Sequence, residues 1–115
     1  MNIKECYQMM NGDYDGVISR LIKEERVKKF VLKFLDDPSY QLLCTSLENC
    51  QYEEAFRASH TIKGICQNLG FTQLYFSSNE LTEKLRNHDY DNLDGLLEKV
   101  KENYQEVICA VEKLR

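Results

Sequence analysis

At 115 residues, with 43% hydrophobic and 30% charged side chains, the chain is long enough to bury a core of its own, and a single domain over 1–115 is expected. Lys and Arg alternate with Asp and Glu at a net charge of −4, which argues against a nucleic-acid footprint. No apolar run approaches the roughly 20 residues that cross a bilayer, and MNIKECYQMM lacks the flank and core of a secretion signal, so a cytoplasmic protein without membrane contact is expected.

One proline and five glycines, with almost no β-type alternation, predict an all-α chain. An N-terminal segment able to start as a short helix is followed by Gly12, Asp13, Asp15 and Gly16, a turn and cap. Val17, Ile18, Leu21 and Ile22 then recur at helical spacing, the stripe lapses over 23–26, and Val27, Phe30, Val31, Phe34 and Leu35 resume it. A break or a change of face is expected near 23–25. Asp36 and Asp37 before Pro38 end that helix, and Pro38 opens the next, which carries Leu42, Leu43 and Leu47 to about residue 48.

After a turn at 49–51 comes a helix that Gly70 stops as a C-cap. A further helix spans about 72–87 with Leu74, Tyr75, Ser78, Leu81 and Leu85 inward, and HDYDN at 88–92 links it to a last helix over about 93–114, whose inward set includes Val107, Cys109 and Val111. Such short connections make neighbours antiparallel. The expected architecture is an antiparallel up-down four-helix bundle with one or two additional short N-terminal helices.

The cysteines at 6, 44, 50, 66 and 109 form no CxxC pair and sit mostly among apolar neighbours, so they read as free buried thiols. His60 and His88 have no thiol at zinc-ligand spacing, and no metal site is expected.

The stretch ASHTIKGICQNLG, 58–70, carries the chemistry. At about 100° per residue, Ala55, Ala58, Ser59, Ile65, Cys66 and Leu69 lie within roughly 60° of Ile62, which makes them the core stripe. His60 falls about 160° away, on the outside. Lys63 sits one turn beyond it and Phe56 one turn before. Gly64 costs about 1 kcal/mol of helix propensity against alanine, a cost that close approach of another protein's backbone to the ring would justify. Neutral imidazole is a nucleophile able to attack phosphorus, and an ammonium beside it neutralises the charge gained. No GxxxxGK[ST] loop or kinase glycine loop is present, so the chain is expected to use no ATP, hence to be no enzyme in its own right, and to bind no cofactor.

From His60 through Thr61, Ile62, Lys63, Gly64, Ile65 and Cys66 to Leu69 and Gly70, the chain resembles the signature of histidine-containing phosphotransfer (HPt) domains, roughly H-x-[LI]-K-G-x-[small]-x-x-[LIM]-G, and meets every fixed position. The resemblance extends to Leu21, Phe34, the leucine-rich helix before the motif, Leu81 and Arg86. It implies a phosphorelay carrier in which His60 accepts the phosphoryl group, Lys63 stabilises it and Gly64 admits a receiver domain, with Phe56, Gln67 and Arg86 as partner contacts. The partners implied are response-regulator receiver domains and a hybrid histidine kinase, with magnesium on the receiver. In some members a Gln or Glu of the next helix orients the imidazole; Thr82 stands there here, with Gln67, Asn79 or Glu83 as substitutes.

A helical module that docks a receiver or kinase without being phosphorylated is the alternative, and a Cys/His metalloprotein is a third reading. A monomer is expected, and Met1 with the lack of linker composition favours a free-standing protein. The cognate kinase and regulator, the direction of flux and the input signal are not written in the sequence.

Overall fold

The computed structural model describes residues 1–115 as seven α-helices and one 3-10 turn without a strand. Three short helices come first: α1 (Ile3–Met9), α2 (Tyr14–Leu21) and α3 (Glu24–Lys33), the last running into a 3-10 turn at Phe34–Asp36. Then come α4 (Ser39–Glu48), α5 (Tyr52–Leu69), α6 (Thr72–Arg86) and α7 (Leu93–Glu112).

Local chemistry explains the starts. Asn2 accepts the Glu5 N–H at 2.8 Å while Glu5 accepts the Asn2 N–H at 3.0 Å, a reciprocal capping box. Asp13 caps α2 through the Gly16 N–H at 3.0 Å. The lapse in the apolar stripe is a true break: Ile22 turns to φ +74°, a conformation that a β-branched residue rarely adopts, and its side chain is 74% exposed. That break brings the N-terminal helices to three, where one or two were anticipated.

Helices α4 to α7 form the antiparallel four-helix bundle. α5 packs between α4 and α6, α6 packs on α7, and Tyr40 of α4 stacks on Tyr104 of α7 at 3.9 Å to close the ring. The α5–α6 seam is lined by small residues, Ala55, Ser59, Ser78 and Thr82, all buried. Ser59 Oγ lies 2.6 Å from Thr82 Oγ1, and both hydroxyls reach the Ser78 carbonyl, so the polar atoms in this tight contact are satisfied.

The N-terminal helices plug the end of the bundle where α5 stops. Tyr7 is buried and its hydroxyl donates to the Leu69 carbonyl, while Phe71 touches both Tyr7 and Phe34 with ring centres 6.0 and 5.3 Å away. Gly70 ends α5 at φ +72°, with the Phe71 N–H on the Cys66 carbonyl at 3.0 Å. α5 is thus clamped along both flanks and at its C-terminal end, leaving one stripe outward.

All five cysteines are free, yet only Cys6 and Cys66 are buried; Cys44 is half-buried, and Cys50 and Cys109 are exposed. This corrects the expectation of buried thiols, and it removes Cys109 from the inward set of α7. Two residues beyond Val107 on a helix lies the opposite face, and Ala110 fills the core position instead. Burial pushes the Cys6 thiol up to about 11 and drives the Cys66 thiol higher still, withholding the thiolate that reacts. Iodoacetamide at neutral pH is therefore expected to label Cys50 and Cys109 in the native protein and to reach Cys6 and Cys66 only after denaturation, as peptide mass mapping would show.

Candidate functional site

α5 places His60 on the outside. The core positions of the helix are Ala55, Ala58, Ser59, Ile62, Cys66 and Leu69, all buried, with Ile65 half-buried, and His60 is exposed opposite them. Its imidazole forms no ion pair or side-chain hydrogen bond; the neighbouring ring is Phe56, one turn earlier, with centres 5.9 Å apart. Lys63, half-buried on the α6 side, forms no ion pair and so keeps its charge for another group. At Gly64 a Cβ would meet no atom within 4 Å, so the helix beside the imidazole is bare backbone facing open space.

Phe56 also carries the Arg86 guanidinium, 5.0 Å above its ring, while Arg86 Nε donates to Glu83 at 2.8 Å. His60, Phe56 and Arg86 form one continuous surface across α5 and α6. Gln67 is exposed on the same stripe two turns beyond His60. The candidates for orienting the imidazole do not reach it. Thr82 is buried and spends its hydroxyl on Ser59 and Ser78, because on the α6 wheel it falls among the core positions with Ser78 and Leu85. Glu83 holds Arg86, and neither Gln67 nor Asn79 donates to or accepts from the ring.

Sequence reasoning missed the extension of this surface past Phe56. Tyr52, one turn earlier on the same stripe, stacks on Tyr90 of the 88–92 connection at 3.9 Å, and His88 Nδ1 lies 3.1 Å from the Tyr90 hydroxyl. These rings, with Leu85 and Arg86, wall a groove of about 550 Å³ that opens beside Phe56. The spacing 52, 56, 60 was the available signal; Tyr90 was hidden in a polar connection.

No three His, Cys, Asp or Glu side chains gather as a metal centre would require. The site offers a free imidazole, an unpaired ammonium and bare backbone. The Hpt domain family model matches residues 38–108, the whole of α4 to α6 and most of α7, with the His60 motif inside. The chain belongs to the Hpt domain family. No curated protein and no solved structure matches it. HPt domains carry phosphoryl groups in phosphorelays, working with receiver domains and kinases, and have no catalytic site for ATP. In this HPt domain the matched span leaves out α1, α2 and α3, which supply the end plug described above.

Proposed function

We propose that this HPt domain is a histidine phosphocarrier that accepts a phosphoryl group on His60 from a receiver-domain aspartyl phosphate and passes it to a second receiver. The observation that carries the reading is the bare backbone at Gly64 beside an exposed, unbonded imidazole. A nitrogen lone pair of neutral His60 attacks phosphorus, the P–O bond to the aspartate breaks, and the carboxylate leaves with its electron pair while the ring proton passes to solvent. Lys63, one turn along, meets the charge that the phosphoryl group brings. Transfer onward is the same step reversed on another carboxylate. Magnesium would act on the receiver, and partner contacts are assigned to Phe56, Gln67 and Arg86. The carrier acts in the cytoplasm as a monomer, fed by a hybrid histidine kinase.

A second reading, docking without phosphorylation, draws on the unoriented imidazole, since Thr82 is turned into the core. A labelled donor receiver, mixed with the protein and an unlabelled second receiver, separates them. Carriage predicts that label leaves the donor, appears on the chain and ends on the second receiver; docking predicts that it stays on the donor while the two proteins co-elute.

Replacing Lys63 tests the assigned charge. Lys63→Gln is expected to slow phosphoryl transfer by about 10-fold to 100-fold, the loss of one charge-assisted contact worth about 1.5–3 kcal/mol, in single-turnover kinetics. The melting temperature should hardly move, because Lys63 has no ion-pair partner to lose.

A further inference from the structure

The elbow between α2 and α3 holds a strained turn inside a run of helix formers. Ile22 sits at φ +74° and ψ −47°, and the Lys23 N–H closes on the Leu21 carbonyl at 2.8 Å, which makes a γ-turn of the rare, strained hand. Asn11, Cys50, His88 and Asn92 also turn to positive φ, but at 54–58°, inside the ordinary left-handed well. Ile22 is the β-branched one, and it stands outside that well. Nothing local asks for the turn: from Val17 to Asp37 there is no glycine or proline, and Lys23, Glu24 and Glu25 suit a helix interior. Lys23 gives the first turn of α3 no side-chain cap. In one straight helix the Glu24 and Glu25 N–H groups would donate to the Arg20 and Leu21 carbonyls, and Val17, Leu21, Val27 and Val31 would share an arc of about 120°. A continuous helix therefore stays amphipathic. Ahead of the elbow, residues 1–21 form an arm seated on the end of α5 by three hydrogen bonds: the Tyr7 hydroxyl on the Leu69 carbonyl, the Asp13 N–H on the Gly70 carbonyl at 2.8 Å, and Arg20 Nε on the Asn68 carbonyl at 3.0 Å. The elbow decides whose bundle this arm plugs.

We propose that two copies of this chain pair by exchanging their arms: α2 and α3 run on as one helix, and α1 and α2 of each copy plug the end of the other copy's bundle. Every arm contact made within one chain is then made between two, while the strain at Ile22 is released and the elbow gains helical hydrogen bonds. The straightened segments pass each other antiparallel at the two-fold axis. Ile22, 74% exposed in the single chain and about 140° from Val17 on the straight helix, there meets its copy. Dilution favours the single-chain closure and concentration the exchanged one. The arm bonds α5 only at 68–70, two turns from His60, so both imidazoles stay exposed, and the pairing does not depend on the carrier reading.

Refolding the full chain at about 1 mM and at about 10 μM, followed by size-exclusion chromatography with light scattering, tests the exchange. The concentrated sample is expected to yield a two-chain species. In protein refolded from mixed isotope-labelled and unlabelled chains, the Tyr7 and Phe71 rings, 6.0 Å apart, should then give a filtered nuclear Overhauser signal between chains. Glu24→Pro separates the two closures: Lys23 already has the extended backbone that precedes a proline, at φ −111° and ψ 134°, and proline suits the first position of α3, but in a straight helix its ring would strike the Arg20 carbonyl. It is expected to lower the two-chain fraction by about tenfold or more, and Ile22→Gly, which accepts φ +74° without strain, by several-fold. Thermal melts of dilute samples keep a folding loss apart from a pairing loss, with Ile22→Gly as the second probe should the proline variant fold poorly. One-chain mass at every concentration, a two-chain species whose Tyr7–Phe71 signal stays within one chain, or a two-chain fraction that neither substitution lowers overturns the proposal. Transfer to His60 by a chain that never pairs leaves the carrier and removes the exchange.

Discussion

Gly64→Gln is expected to make the protein more stable and a worse phosphoryl acceptor at once. Gly64 lies in the interior of α5, and a Cβ there meets nothing within 4 Å, so the substitution gains helix propensity without a clash. Glycine is about 0.8–1.0 kcal/mol poorer than alanine in a helix, and glutamine is close to alanine. A rise of a few degrees in melting temperature follows for a domain of this size. The added side chain would stand one turn from His60 on the open surface, where the receiver backbone would come closest. Displacing that backbone costs about 1–3 kcal/mol, on the order of a tenfold to hundredfold loss in transfer at low receiver concentration. Thermal melts and single-turnover transfer on the same sample check both signs. A stabilised protein that transfers at the parental rate would mean that the receiver does not approach over residue 64.

Six residues on, Gly70→Ala is expected to act in the opposite way, destabilising the fold by about 2–4 kcal/mol. Gly70 sits at φ +72°, and a Cβ there would come 2.7 Å from the Asp13 carbonyl oxygen, a backbone atom with no room to swing aside. The same joint is tied by the Asp13 N–H on the Gly70 carbonyl at 2.8 Å, so relieving the clash would pull α2 off the end of α5. Against a typical stability of 5–15 kcal/mol this is a large share, and a fall of roughly 10 °C or more in melting temperature should register it. Two glycines of one motif thus separate by role: one ends the helix, the other leaves it bare.

Most of this architecture could be read from the chain because its signals are local. The spacing of Ile62, Cys66 and Leu69 gave the buried face of α5, Pro38 and Gly70 marked ends, and each connection was short enough to force antiparallel neighbours. What escaped depends on contacts between segments far apart in sequence. Cys109 looked apolar enough for the core, but Val107 and Val111 set the phase of α7 and turn it outward. Thr82 aligned with an orienting position, but the close α5–α6 seam needs a small buried side chain there, and its hydroxyl is consumed by Ser59. Tyr52 and Tyr90 meet only because the 88–92 connection folds back on the start of α5. The pairing of Phe30 with Ile65 in one groove likewise needs the plug that α1, α2 and α3 build, which no periodicity within a single helix announces.

The central claim is that an exposed imidazole at residue 60, and no other side chain, receives the phosphoryl group. Intact mass spectrometry after incubation with phosphorylated receivers, at neutral pH and again after brief acid treatment, addresses it directly. The predicted result is one added phosphoryl group that acid removes, mapped by peptide fragmentation to His60 and missing from His60→Gln. An added group that persists in His60→Gln, or no addition from any receiver of the same genome, would contradict it.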